Sequence, residues 1–170
     1  LPGGGFETIN IPTPQAVYMP TWSLAAGDLN ADGYKDLLYG NGYGVSIMLS
    51  TEDGLGFTQS AGPEYVFSQR TNMVDINNDG WRDIYVCATT NPNPDERKNM
   101  LFVNQGLNAS GEPSFKEMAA DYKIDFNGHS VMAAFFDYDR DGDLDLYILV
   151  NQKLDKVPTN YRAKIVDGLA

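Results

Sequence analysis

Three short acidic stretches carry most of the chemical potential of this chain. They are Asp28-Leu29-Asn30-Ala31-Asp32-Gly33-Tyr34-Lys35-Asp36, Asp75-Ile76-Asn77-Asn78-Asp79-Gly80-Trp81-Arg82-Asp83 and Asp137-Tyr138-Asp139-Arg140-Asp141-Gly142-Asp143-Leu144-Asp145. All three obey one pattern, D-x-[DN]-x-D-G-x-x-D. Oxygen-bearing side chains stand at its first, third, fifth and ninth positions, and glycine always at the sixth. Carboxylates at that density repel one another unless something positive sits among them.

Oxygens at alternate positions of a tight loop converge on one point, and a hard cation there turns repulsion into attraction. Ca²⁺ takes about six to eight oxygen ligands, and a glycine permits the sharp turn such a loop needs. Mg²⁺ fits less well, because it demands strict octahedral geometry and keeps more of its water. The expected ligands are Asp28, Asn30, Asp32 and Asp36 in the first loop, with the backbone carbonyl of Tyr34. In the second they are Asp75, Asn77, Asp79 and Asp83 with the carbonyl of Trp81, and in the third Asp137, Asp139, Asp141 and Asp145 with the carbonyl of Asp143. An EF-hand shares the first six positions but closes with a glutamate at the twelfth, between helices. Here the twelfth residue is Tyr39, Val86 or Ile148, and the flanks resemble strands. Up to three Ca²⁺, one per loop, would more than halve the formal net charge of −11. Calcium-dependent stability follows as an expectation.

The elements that must position these loops repeat with them. Each loop follows a small and apolar run: Trp22 to Gly27, Asn72 to Val74, and Ser130 to Phe136. Each precedes a run rich in β-branched and aromatic residues. After the first two come further strand candidates, Val45 to Leu49 and Met100 to Val103, then a Gly-containing turn and a phenylalanine at Phe57 or Phe115. The unit predicts a four-stranded antiparallel meander of about 50 residues, a period typical of β-propeller blades. The expected fold is therefore all-β: a partial β-propeller with an EF-like calcium loop between the first two strands of each blade. Blade one is expected over about residues 20–66, blade two over 67–125 and an incomplete blade three over 126–170, with 152–170 as a long loop. A propeller needs about four to eight blades, so the chain is expected to be continuous with further ones.

The loop and its following strand resemble the FG-GAP/VCBS repeat family, found in integrin α-subunit propellers and many bacterial secreted proteins. The phrases "FFDYDRDGDLDLYILVN" and "MLFVNQG…PSFKEMAADYKI" are most similar to bacterial VCBS proteins that accompany ASPIC/UnbV domains. The resemblance covers roughly residues 20–151. It implies a seven-bladed type of propeller, secreted or on the cell surface, with structural Ca²⁺ in the loops. Phe126-Asn127-Gly128 and Ala26-Gly27 only approach the name-giving FG and GAP tripeptides, so integrin-type ligand recognition does not carry over.

Composition narrows the alternatives. Hydrophobic residues make up 42% of the 170, which is globular, and 23 acidic residues against 12 basic ones argue against nucleic acid as a partner. No apolar run is long enough for a membrane-spanning helix. Cys87, the single cysteine, lies in an apolar run and is expected to be buried and inert. His129, the single histidine, has no nucleophile pattern near it in the sequence and is expected to pack or hydrogen-bond. Tyr18, Trp22, Tyr43, Tyr65 and Trp81 could stack on sugars, but between blades they are expected to be core. Asn108-Ala109-Ser110 is a glycosylation sequon, relevant in a eukaryotic secretory host. The polar loop Asn91 to Lys98 is an insertion and the favoured place for a partner contact. The expected function is a non-enzymatic, calcium-binding propeller segment of an extracellular or cell-surface protein, bacterial secreted or outer-membrane-associated, that binds another protein or a surface glycan. The alternative is the propeller part of a polysaccharide lyase or hydrolase. A dockerin-like module is disfavoured by the strand-like flanks.

Overall fold

A computed structural model describes residues 5, 8–12, 22–41, 44–60, 62, 70–151 and 161–166. Its described residues hold three antiparallel sheets and no α-helix. Sheet one is a meander of β1 (Ser23–Gly27), β2 (Asp36–Asn41), β3 (Gly44–Ser50) and β4 (Phe57–Ser60). Sheet two repeats it with β5 (Arg70–Val74), β6 (Asp83–Cys87), β7 (Met100–Leu107) and β8 (Pro113–Glu117). Sheet three contains β9 (Ser130–Phe136), β10 (Asp145–Asn151) and β11 (Tyr161–Val166), ordered β11-β10-β9. The last strand corrects the expectation of an unbroken loop over 152–170: Tyr161 to Val166 pair along β10 from Asn151 back to Leu146.

The three sheets stack, and β6 shows why. All five of its residues are buried, and successive side chains of a strand point to opposite faces. Ile84 and Val86 pack toward sheet one with Leu38, Val45, Ile47 and Phe102. Tyr85 and Cys87 pack toward sheet three with Leu101, Ala133, Leu146 and Ile148. A four-stranded sheet hydrophobic on both faces cannot stand alone, and here two neighbours cover it. Burial pushes the Cys87 thiol up to about 12, so it is a packed, unreactive group.

The first strands lie side by side, β1 against β5 and β5 against β9. Ser23 Oγ and Thr71 Oγ1 are 2.6 Å apart, Thr71 N donates to Ser23 Oγ at 2.8 Å, and Arg70 Nη1 donates to Trp22 O. A Cβ at Gly27 would meet Met73 Sδ at 2.6 Å, so a larger residue there would require the Met73 side chain to move aside. Two aromatic expectations need correction. Trp22 is 39% exposed and is not a core residue, while Trp81 is half-buried against Gly106. Phe136, which closes the apolar run before the third loop, is not buried with it: it is 43% exposed and stacks edge-on against Tyr138. Tyr18, Tyr43 and Tyr65 lie outside the described residues.

Candidate metal centres

The acidic stretches form the connections β1–β2, β5–β6 and β9–β10, all at the same end of their sheets. Their backbone repeats from copy to copy. The sixth residue has positive φ in each, 93° at Gly33, 91° at Gly80 and 97° at Gly142, which is the region where glycine costs nothing. The fourth residue also has positive φ, at Ala31, Asn78 and Arg140. Only the asparagine among these is a residue that tolerates the left-handed region well, so the other two hold backbone strain. Sequence inspection missed this, because alanine and arginine carry no turn signal.

The side-chain bonds repeat too. The first carboxylate folds across the loop to accept from the sixth amide: Gly33 N to Asp28 Oδ2 at 2.9 Å, Gly80 N to Asp75 Oδ2 at 3.0 Å, and Gly142 N to Asp137 Oδ2 at 3.2 Å. The fifth carboxylate accepts from the seventh amide: Tyr34 N to Asp32, Trp81 N to Asp79 and Asp143 N to Asp141, at 2.8–2.9 Å. In the first two loops the third-position asparagine donates its amide to the fifth-position aspartate, at 2.8 Å in both. The third loop has Asp139 at that position. The first and fifth carboxylates thus fold back onto their own loop in each copy, while the Asp143 residue is exposed.

The ninth-position aspartate has a second task, also missed from sequence. Asp36 is fully buried; its Oδ2 accepts from Leu29 N at 2.7 Å and its Oδ1 from Ser50 N at 2.9 Å. Asp83 is buried in the same way, accepting from Ile76 N and Asn104 N, both at 2.8 Å. One carboxylate therefore pins the start of the loop to the third strand of its sheet. Asp145 makes the first of these bonds, from Tyr138 N at 2.7 Å. Each carboxylate oxygen has two lone pairs, so these bonds leave capacity for a cation. Asn104, itself buried, extends the bracket across sheets by donating to Leu29 O and Arg82 O and accepting from Gly106 N.

Electrostatics follow from this burial. Desolvation raises the Asp83 carboxyl to about 6, against the pull of its two amide donors, with the charges of Asp79 and Asp75 adding to the rise. Asp36 is raised for the same first reason. Asp139 is raised by local desolvation and by the charges of Asp141 and Asp145. The third loop gathers its carboxylates most tightly: one oxygen each from Asp137, Asp139 and Asp145 lie within 4.8 Å of one another. In the first loop, Asp28 Oδ1 is buried and has no hydrogen-bond partner. A carboxylate oxygen held out of water without a donor is costly unless a positive charge meets it.

The other sequence candidates lie elsewhere. His129 Nδ1 is bonded to Thr89 O at the opposite end of the sheets. The Asn91–Lys98 insertion is a capped 3₁₀ turn (Pro94–Glu96), anchored by the buried Arg97. Arg97 donates only to backbone carbonyls among its hydrogen bonds, those of Asn91 and Asn127.

Compared with known families, residues 28–86 and again 75–148 match the model of the FG-GAP-like repeat. Each match starts at the first aspartate of one acidic loop and ends in the strand that follows the next. No curated protein matches the chain.

Proposed function

Since the chain belongs to the FG-GAP-like repeat family, whose members are generally binding or structural modules, we propose that it is a calcium-binding segment of a β-propeller, working as a binding or assembly module of a secreted or cell-surface protein. The observation that carries the reading is the convergence of the Asp137, Asp139 and Asp145 oxygens within 4.8 Å. The unpartnered, buried Asp28 Oδ1 supports it independently in another copy of the loop. Asp28, Asn30, Asp32 and Asp36, their counterparts in the second loop, and Asp137, Asp139, Asp141 and Asp145 would hold one Ca²⁺ per loop, with the carbonyls of Tyr34, Trp81 and Asp143. The ion supplies positive charge and cross-linking, not chemistry on a substrate. The protein's own part is to preorganise the oxygens, which the ninth-position brackets and the glycine turns do.

The propeller reading draws on the stacking of the sheets and the side-by-side first strands. It also draws on the face of sheet three turned away from sheet two, where Met132 is 49% and Phe136 43% exposed. A further sheet would cover those residues. The module's partner would be another protein or a surface glycan, and the host a bacterial secreted or outer-membrane-associated protein. Thermal melting with excess calcium and with excess EDTA tests the calcium reading. A melting temperature several degrees higher in calcium is expected, and an unchanged one would overturn the reading.

A further inference from the structure

The end of the sheets opposite the acidic loops holds a second feature. There the connection after β6 runs beside the connection into β9, and the two are stitched together. Ser130 N donates to Ala88 O at 3.1 Å, Arg97 Nε to Asn127 O at 3.0 Å and Asn99 N to Phe126 O at 3.0 Å. Asn151 N, at the end of β10, donates to His129 O at 2.8 Å. Against this seam lies a cavity of about 320 Å³, lined among the described residues by Thr89, Thr90, His129 and Asn151. That volume is in the lower range for small-molecule sites.

We infer that this cavity binds a neutral, polyhydroxylated ligand, one sugar unit of a glycan. The chemistry of its four described residues selects for that class. A backbone carbonyl can only accept, so the 2.5 Å contact to Thr89 O places a proton on His129 Nδ1. That bond holds the ring in one orientation and leaves Nε2 as its other polar atom. The hydroxyls of Thr89 and Thr90 can each donate and accept, and the Asn151 amide does both with separate atoms. None of these three side chains is committed to a hydrogen bond with another described residue. None of these four residues is an aspartate, glutamate, lysine or arginine, so among them an anion or a cation meets no permanent counter-charge. An apolar ligand would leave the hydrogen-bonding groups unpaired, which is unfavourable. A sugar's adjacent hydroxyls, each donor and acceptor, match such a mixed set. The seam provides rigidity, so little ordering is needed on binding. The site shares no residue with the acidic loops and does not depend on calcium being their ligand.

The single histidine makes the test direct. With calcium present throughout, the full chain is titrated with glucose, galactose, mannose and N-acetylglucosamine, and with glucuronic acid and glucosamine as charged counterparts. Saturation-transfer NMR and the lone imidazole Hε1 resonance of His129 are the readouts. At least one neutral sugar is expected to receive saturation and to shift the His129 signal, ahead of both charged sugars. Thr90→Val and Asn151→Ala, both at exposed positions, should weaken that binding about tenfold each, the effect of one lost hydrogen bond, at unchanged melting temperature. The inference is overturned if no neutral sugar moves the His129 resonance, if a charged sugar binds as tightly, or if both variants bind like the parent.

Discussion

Mild acidification should stabilise the calcium-free protein, the reverse of what a protein rich in aspartate would ordinarily do. The reason is Asp83. It is fully buried, and its carboxyl stands at about 6 in the folded chain against 3.8 for an ordinary aspartate. A folded-state value above the unfolded one means that the folded chain takes up the proton first. Asp83 therefore adds stability that is complete below 3.8 and is lost as pH rises through about 6. The full span corresponds to about 3 kcal/mol at 1.36 kcal/mol per unit. Between pH 7.5 and pH 5 the linkage relation yields roughly half of that, about 1.4 kcal/mol, or about 3–6 °C in melting temperature for a chain of this size. Asp36, raised by the same burial, acts in the same direction. The assay is urea unfolding in EDTA at pH 7.5 and pH 5, for the parent chain and for Asp83→Asn, which has the same shape and no titration. The parent should gain about 1.4 kcal/mol more than the variant on acidification. With excess calcium the slope should reverse, because ligand carboxylates must be ionised. Equal slopes for parent and Asp83→Asn in EDTA would refute the reasoning.

Three further outcomes are expected. Asn104→Ala removes three hydrogen bonds at a buried position linking two sheets, and should cost about 2–4 kcal/mol by urea unfolding. Ala31→Gly should stabilise the chain by about 0.5–1 kcal/mol, because φ at Ala31 is 57° and a glycine relieves that strain; a loss of stability would argue against the loop conformation. In calcium, Asp141→Ala should lower the melting temperature by several degrees more than Asp143→Ala, since the Asp143 carboxylate is exposed and only its carbonyl is assigned to the ion; equal effects would undercut the ligand assignment.

The strands that flank the acidic loops were legible in the sequence because two signals coincide there. The loop pattern recurs, and the runs beside it are β-branched and aromatic, as in Ile84 to Cys87 after the second loop. That β6 faces sheet one with Ile84 and Val86 and sheet three with Tyr85 and Cys87 follows from strand alternation once both neighbours are known. The strand Tyr161–Val166 was not legible, since its polar, alternating Arg162 and Lys164 resemble a solvated loop until β10 offers a partner. The exposure of Phe136 and Trp22 also escaped, because hydrophobicity states what a residue prefers and not which neighbour is present to cover it. The ninth-position bracket escaped for a different reason. Asp36 and Asp83 reach amides 14 and 21 residues away, and a bond between a side chain and a distant backbone leaves no local pattern. What the sequence exposed was the charge of these aspartates; that they also pin a strand is a property of the folded sheet.

The central claim is that the acidic loops hold calcium, and calorimetric titration of Ca²⁺ into EDTA-stripped, desalted chain tests it most directly. The account predicts saturable binding approaching three equivalents, one per loop, reduced by one equivalent in Asp141→Ala. Absence of saturable binding, or a stoichiometry that Asp141→Ala leaves unchanged, would contradict it.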